Sequence, residues 1–227
     1  MKVVGGPEFA SCRETSTERC VGATPRHPRS DVPEVGEPAA TKVSLYKEIL
    51  YTEAEVDARI GAMAVDITRS YKGTDTLFVA LLNGALPFTA KLMRAIQHHD
   101  PYFHPNVQSM IVSRYGSSRE GGAPHLVTDL PPDYRVLTKR HVVLLDDLVD
   151  GGGTTDFTEH HLYGYGAETV ERIVLVKKLK DPPVKCNLAM YGFEAPDLWL
   201  TGMGMDNAHL ATEANRWAGW IAIANTD

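Results

Sequence analysis

The chain has few cysteines, no surplus of basic residues and no long apolar run. Its 227 residues include three cysteines, Cys12, Cys20 and Cys186. They are too few and too scattered for a disulfide framework or a zinc site, which favours a reducing compartment. The net charge of −6 leaves no basic surplus to neutralise nucleic-acid phosphates. No apolar run approaches the ~20 residues of a membrane span, so we expect neither nucleic acid nor membrane as a partner.

The first 40 residues differ in composition from the rest. They are rich in Pro, Gly, Ser and Thr and contain few large apolar residues. We expect a disordered leader over residues 1–40 and one folded domain over residues 41–227. The alternative is a start site placed too far upstream. The leader lacks the apolar stretch of a signal peptide, and its acidic residues argue against a transit peptide, so we expect a cytoplasmic protein.

Hydrophobic periodicity predicts alternating strands and helices in the remaining residues. Thr52 and Glu55 form a capping-box pattern that opens a helix. Further helices are predicted over 86–97 and 154–164, and strands over 76–82, 106–113, 141–146, 170–177, 188–193 and 219–224. This alternation indicates a parallel sheet with helices on both faces, which binds ligands at the carboxyl ends of its strands. Residues 116–135 read as a long loop of the kind found in lids or disordered segments.

The most informative stretch is residues 142–155. Four apolar residues lead into Asp146 and Asp147, and Asp150 is followed by three glycines and two threonines. Glycines let several backbone N–H groups converge on one phosphate. Acids beside such a loop repel a phosphate unless they hold sugar hydroxyls or a metal ion. The stretch therefore predicts a ligand with both a phosphate and a sugar, together with Mg²⁺; the alternative is a glycine-rich, acidic turn without a ligand.

This stretch resembles the signature of the type I phosphoribosyltransferases, which use 5-phosphoribosyl-1-pyrophosphate (PRPP). Their signature is a strand, two acids, two apolar residues, a variable residue, Thr or Ser, Gly, a variable residue and Thr. The first variable residue is Asp in members that act on 6-oxopurines, and here it is Asp150. The resemblance thus implies hypoxanthine, guanine or xanthine as the base. The sequence departs from the signature at Gly151, where a hydroxyl normally contributes to the phosphate site.

The resemblance implies a role for each part of the stretch. Asp146 and Asp147 would hold the ribose hydroxyls directly or through Mg²⁺, because carboxylates accept hydroxyl hydrogens and are hard oxygen ligands. Asp150 would act as the general base on the purine; the alternative is a cap for the following helix. The 5′-phosphate would bind the backbone and hydroxyls of Gly151, Gly152, Gly153, Thr154 and Thr155.

Three further segments resemble the parts of the family that handle pyrophosphate. Asn83 and Gly84 match its pyrophosphate loop, although many members have Lys or Arg in the place of Asn83. Arg114 and Tyr115 resemble the start of its mobile loop, and Arg216 matches its late arginine. The alternatives are a simple strand-to-helix turn at Asn83 and an ordinary surface hairpin at Arg114.

The last resemblances concern the purine. Lys177 would contact O6 of the base; the alternative is a surface lysine at a strand end. The segment from Met190 to Asp197 resembles the family's purine site. Met190 takes the place of the stacking aromatic, Tyr191 would read the base edge through its backbone, and Asp197 would ligate a second Mg²⁺.

The resemblance covers roughly residues 44–224 and implies an α/β fold, a parallel sheet flanked by helices with a small hood formed by terminal segments. It implies Mg²⁺-dependent transfer of phosphoribosyl from PRPP to N9 of hypoxanthine or guanine, in a homodimer or homotetramer. The alternatives are a xanthine-guanine enzyme, a PRPP-sensing regulator on the same fold, and an enzyme weakened by Gly151, Asn83 and Met190.

Overall fold

A six-stranded sheet forms the centre of the protein. The computed structural model describes residues 46–113, 122–183, 186, 188–206 and 215–225, so the predicted leader with Cys12 and Cys20 lies outside the described residues. The strands are β2 (Thr76–Leu82), β3 (Asn106–Ser113), β4 (His125–Thr128), β5 (His141–Val149), β6 (Thr169–Leu179) and β7 (Met190–Pro196). Their order is β4-β3-β2-β5-β6-β7. All neighbours are parallel except β4, which is antiparallel to β3.

Helices cover both faces of this sheet. The first face carries α1 (Glu53–Tyr71) and α2 (Leu86–His99), and the second carries α3 (Gly153–Gly164). The predicted capping box is present, since the Thr52 hydroxyl accepts from the Glu55 N–H and the Glu55 carboxylate accepts from the Thr52 N–H. The apolar stripe of α1 is fully buried against the sheet, and each such side chain contributes about 1.5–3 kcal/mol. Within the described ranges, no helix is long and apolar enough to cross a membrane.

A second, three-stranded antiparallel sheet is built from chain segments near both ends of the domain. It contains β1 (Tyr46–Tyr51), β8 (Leu200–Thr201) and β9 (Ile221–Ala224), in the order β1-β9-β8. The expected fold class, a helix-flanked sheet with a hood of terminal segments, is confirmed. The expectation of one long loop over 116–135 was wrong in part, because β4 and a short 3₁₀ helix (Pro132–Tyr134) lie within it. Its residues 116–121 fall outside the described ranges.

Strand β5 runs three residues beyond the predicted end. Its pairing with β2 stops at Ala80 and Leu145, whereas its pairing with β6 continues to Val149 and Lys177. Asp146 and Asp147 therefore lie where β2 has turned away into α2 and left one side of β5 open.

Candidate active site

The glycine-rich turn between β5 and α3 encloses a small cavity. The turn lines a space of about 70 Å³ together with Asp146 and Asp150. Gly152 has a φ of +75°, a conformation that favours glycine. Helix α3 starts at the next residue, so its unpaired N–H groups and its dipole both favour an anion here.

The two threonines of this turn differ. Thr154 is half-buried and lines the cavity. Thr155 is buried, and its hydroxyl donates to the Gly152 carbonyl oxygen at 2.8 Å. A hydroxyl has one hydrogen to donate. In this geometry the Thr155 hydroxyl hydrogen is used within the turn, so the expected contact of Thr155 with a phosphate stays a prediction that concerns its backbone.

Asp146 and Asp147 form a pair of carboxyl groups whose negative charges are offset only weakly by the surrounding protein. Asp146 is buried, and its Oδ1 accepts from the Asp147 N–H at 3.0 Å. Burial and the neighbouring Asp147 charge raise the pKa of Asp146 well above its usual value. Burial also raises the pKa of Asp147, although its hydrogen bonds and the positive charge of Arg216 oppose the rise. The pair is thus poised to accept either hydrogen-bond donors or a cation from a ligand.

Two glycines allow three segments to meet at this pair. A Cβ on Gly84 would lie 2.5 Å from the Asp147 Oδ2, and a Cβ on Gly204 would lie 1.7 Å from the Gly84 carbonyl oxygen. Gly204 also has a φ of +104°. The Gly84 backbone therefore lies against both the Asp147 side chain and the Gly204 backbone, a closeness that a side chain at either glycine would prevent.

A second cavity of about 190 Å³ lies beside the first. Its walls come from β5, β6, the turn after β2 and the second sheet: Gly84, Asp147, Leu148, Asp150, Lys178, Trp199, Leu200, Gly204, Met205, Asp206 and Arg216. Arg216 Nη2 lies 2.5 Å from the Asp206 Oδ2, and the Trp199 indole donates to the Asp206 carbonyl oxygen at 2.9 Å. The cavity thus combines carboxylates, cations and an aromatic ring.

Asp150 faces two lysines. Its Oδ1 lies 2.6 Å from Lys180 Nζ and 3.4 Å from Lys178 Nζ, and Asp197 Oδ1 lies 3.2 Å and 3.8 Å from the same two atoms. Burial acts to raise the pKa of Asp150, but the two lysines outweigh it and lower the pKa below its usual value. Asp150 is therefore a carboxylate at neutral pH, as a general base must be.

Three residues expected at the purine do not line the cavity beside Asp150. Lys177 Nζ lies 3.2 Å from the Glu194 Oε1 and 4.9 Å from the centre of the Tyr191 ring. Successive residues of a strand point to opposite faces, so Lys178 and not Lys177 reaches the cavity. Met190 pairs with Ile173, well before Lys177 along β6, and lines a separate cavity of about 550 Å³ with Thr76 and His141 at the amino-terminal ends of the strands. Lys177, Met190 and Tyr191 therefore do not line the cavity beside Asp150, and their expected contacts with a purine stay predictions.

Only some of the remaining expected residues line the cavity. Arg216 and Gly84 line the cavity, whereas Asn83 is exposed and does not. Arg114 and Tyr115 lie outside the described residues. Asp197 contacts the two lysines and does not line the cavity, whereas Asp206 does.

Sequence reasoning therefore did not single out Lys178, Trp199, Leu200 and Asp206, which line this cavity. No local signal singles out Lys178, because the centre of β6 is buried on both faces and its apolar residues do not alternate. A signal for the others was the pair of glycines at 202 and 204, which indicates a close backbone approach near Trp199 and Asp206.

The described side chains contain no preformed metal cage of three or more His, Cys, Asp or Glu residues. Asp147 and Asp206 nevertheless line one cavity. This set fits Mg²⁺, which proteins commonly hold through one or two carboxylates while substrate phosphates and water complete the shell.

A parallel sheet with helices on both faces, and a glycine turn that opens a helix at the strand ends, define an α/β protein that binds phosphorylated ligands. A family model described as a phosphoribosyl transferase domain matches residues 46–208. The chain belongs to this phosphoribosyltransferase family.

Named relatives agree with that membership. A hypoxanthine phosphoribosyltransferase of Escherichia coli is 30% identical over 71% of this chain and 88% of its own length. A hypoxanthine-guanine phosphoribosyltransferase of Bacillus subtilis is 28% identical over 71% of this chain and 86% of its length. The fold is similar to that of Trypanosoma cruzi hypoxanthine phosphoribosyltransferase in complex with IMP, with a TM-score of 0.67, 23% identity and coverage of 82% of this chain and 98% of that one.

Proposed function

We propose that the protein transfers 5-phosphoribosyl from PRPP to N9 of hypoxanthine or guanine, giving IMP or GMP and pyrophosphate in purine salvage. The names of the curated relatives support this activity. Mg²⁺ dependence, a homodimer or homotetramer and a cytoplasmic location stay predictions.

One observation carries the proposal: the two cavities share Asp150 and Leu148 on their walls. A ribose 5-phosphate with its phosphate in the glycine turn would therefore direct its C1′ towards the cavity that contains Lys178 and Trp199. A purine in that cavity would lie next to the carbon it must attack, and such positioning supplies much of the rate of a bimolecular reaction.

The second cavity has groups suited to a 6-oxopurine. The Lys178 ammonium would donate to O6, whereas the 6-amino group of adenine would place a donor against a donor. The Asp150 carboxylate would accept the N7 proton, and the Trp199 ring would lie against the purine face. Leu200 would offer its backbone to the base edge.

The groups around Gly84 suit the pyrophosphate. Backbone at Gly84 can approach a phosphate closely, and Arg216 brings a cation to the same wall. Mg²⁺, held by Asp147 and Asp206, would supply positive charge to the leaving group. Asp146 would accept hydrogen bonds from the ribose hydroxyls.

The bond changes balance with these groups. The bond from C1′ to the pyrophosphate oxygen breaks, and its electron pair leaves with pyrophosphate. The N9 lone pair forms the new bond to C1′, and the purine proton at N7 passes to the Asp150 carboxylate. Since no covalent intermediate with the protein is required, most of the rate should come from positioning and electrostatics.

The test is a spectrophotometric assay of the purified protein with PRPP and Mg²⁺, in which hypoxanthine, guanine, xanthine and adenine are offered separately. We expect turnover of the 6-oxopurines and not of adenine. Asp150→Asn should lower kcat by roughly 10²–10⁴-fold, the usual contribution of a general base. Asp181→Asn, an exposed carboxylate beyond the lysines, is the matched control and should retain activity.

Other results would select the alternatives. A preference for xanthine would indicate a xanthine-guanine enzyme. Binding of PRPP in calorimetry without turnover of any base would contradict the proposal and favour a PRPP-sensing regulator.

A further inference from the structure

A buried arginine lies under the glycine turn. Arg172 is 5% exposed and projects from the middle of β6 towards the start of α3. Its Nη1 donates to the Thr155 hydroxyl oxygen at 3.2 Å, and its Nη2 contacts the carboxylates of Asp156, at 2.8 Å, and Glu159. An arginine carries its charge under all ordinary conditions, so its burial requires such partners.

The hydrogen bonds continue from Arg172 into the turn. The Thr155 hydroxyl accepts from Arg172 and donates to the Gly152 carbonyl oxygen, which also accepts from the Asp156 N–H at 2.8 Å. The Gly152 carbonyl therefore points into α3. The peptide between Gly152 and Gly153 is trans, and in a trans peptide the N–H points away from the carbonyl. The Gly153 N–H thus points out of the helix, on the side of the cavity that the turn lines.

Charge gives Arg172 a second effect. Asp156 and Glu159 lie in the first two turns of α3, where an anion in the turn would feel their repulsion. Arg172 contacts both carboxylates and offsets their charge. This matters more here than in a loop with more hydroxyls, because Gly151 supplies none and the turn relies on backbone donors.

We propose that Arg172 is a positioning residue for phosphate binding. Acting through Thr155, it fixes the Gly152–Gly153 peptide so that the Gly153 N–H faces the 5′-phosphate, and it offsets the two acids of α3. The inference rests on the proposed function, since it takes the ligand to be a phosphorylated ribose.

The main test compares Thr155→Val with Thr155→Ser. Valine preserves the shape and removes the hydroxyl, whereas serine keeps it. Calorimetry with ribose 5-phosphate should give a Kd about fivefold higher for Thr155→Val, the effect of one lost hydrogen bond, and within about twofold of the unaltered protein for Thr155→Ser. In the assay with PRPP, the KM for PRPP should rise by a similar factor, while the KM for hypoxanthine and kcat should change little.

Thr158→Val is the matched control. Thr158 is also buried in α3, and its hydroxyl donates to the Thr154 carbonyl oxygen at 2.8 Å without contact to Arg172. It should lose comparable stability and keep the Kd for ribose 5-phosphate. If Thr158→Val weakens ribose 5-phosphate as much as Thr155→Val does, the effect is general softening of the helix and the inference is wrong.

Arg172→Met extends the test to charge. It should weaken ribose 5-phosphate more than Thr155→Val, and adding Glu159→Gln should recover part of that loss. Unchanged binding in Thr155→Val would overturn the inference. Because the readout is binding, unaltered protein that binds ribose 5-phosphate without turning over any purine would contradict the proposed function alone; protein that does not bind it would contradict both.

Discussion

Two groups of carboxylates lie within five residues of each other at the end of β5, and their surroundings differ in charge. Asp150 faces Lys178 and Lys180, which lower its pKa below the usual value despite burial. Asp146 and Asp147 face each other, and burial raises the pKa of both. The protein therefore supplies the positive charge for one group and leaves the other to be completed by a ligand. The first arrangement suits a fixed base, and the second suits a cation that arrives with a substrate.

After Asp150→Asn itself, the largest effect is expected from Lys178, which contacts Asp150 and lines the cavity of about 190 Å³. Lys178→Met should lower kcat/KM for hypoxanthine by roughly 10–100-fold, the value of a hydrogen bond from a charged donor. Lys177→Met, one residue away on the opposite strand face, should stay within about twofold. Steady-state assays of both variants check this. Equal losses in the two would mean that the assignment of strand faces is wrong.

Replacing a carboxylate by an amide should change the free energy of unfolding in opposite directions in the two groups. Asp146→Asn keeps the acceptor for the Asp147 N–H and removes a buried charge, so it should raise the free energy of unfolding at pH 7 by about 1–2 kcal/mol, or roughly 2–6 °C in Tm. Asp150→Asn leaves Lys178 and Lys180 with less compensation and should lower the Tm slightly.

The pH dependence of stability follows from the pKa of Asp146. A raised folded-state pKa means that the native protein holds more protons than the unfolded chain between about pH 3.9 and the raised pKa, so native stability falls as the pH rises through this window and is constant above it. The advantage of Asp146→Asn should therefore grow with pH through this window and disappear below it. Thermal melts across the pH range, without ligands, are the measurement, and a constant advantage at every pH would contradict this account.

A smaller effect is expected from Lys180. Lys180→Met removes the nearer cation, so the pKa of Asp150 should rise and the acidic limb of the pH profile of kcat/KM should move to higher pH. Asp197→Asn leaves both lysines for Asp150 and should move the same limb to lower pH. The measurement is the pH profile of kcat/KM for hypoxanthine at saturating PRPP in both variants. Shifts of the acidic limb in the same direction in the two variants would contradict this account of the Asp150 pKa.

The smallest effect is expected at Gly151. Gly151→Thr should lower the KM for PRPP about two- to fivefold, since one added hydrogen bond is worth about 1 kcal/mol. The exposed position of Gly151 leaves room for the side chain. An unchanged or higher KM would show that the backbone donors already satisfy the phosphate.

Most of the fold could be predicted because local signals agree with the final structure. Continuous apolar runs identified the central strands to within a few residues, and the capping box at Thr52 marked the start of α1. Strand β8 could not be predicted, since two residues carry no periodicity and their pairing is made by the distant β9.

The site was less accessible to prediction for a physical reason. β6 is buried on both faces, so its apolar residues do not alternate and cannot show which of Lys177 and Lys178 points to Asp150. The aromatic residue in the cavity depends on how the chain after β7 turns into the second sheet, which favours Trp199 over Met190. One continuous segment contains the acid pair, Asp150 and the glycine turn. Its prediction therefore required neither the assignment of strand faces nor the path of the chain after β7.

The contact between Gly84 and Gly204 has a consequence for synthesis. The cavity between these residues also needs Arg216, so its walls come from parts of the chain that leave the ribosome far apart in time. The first strands and helices can fold while translation continues, yet the cavity beside Asp147 cannot close until almost the whole chain has emerged. A nascent chain would therefore form the central sheet before it formed the cavity. A chain that ended before residue 204 would lack both Gly204 and Arg216 on the cavity wall.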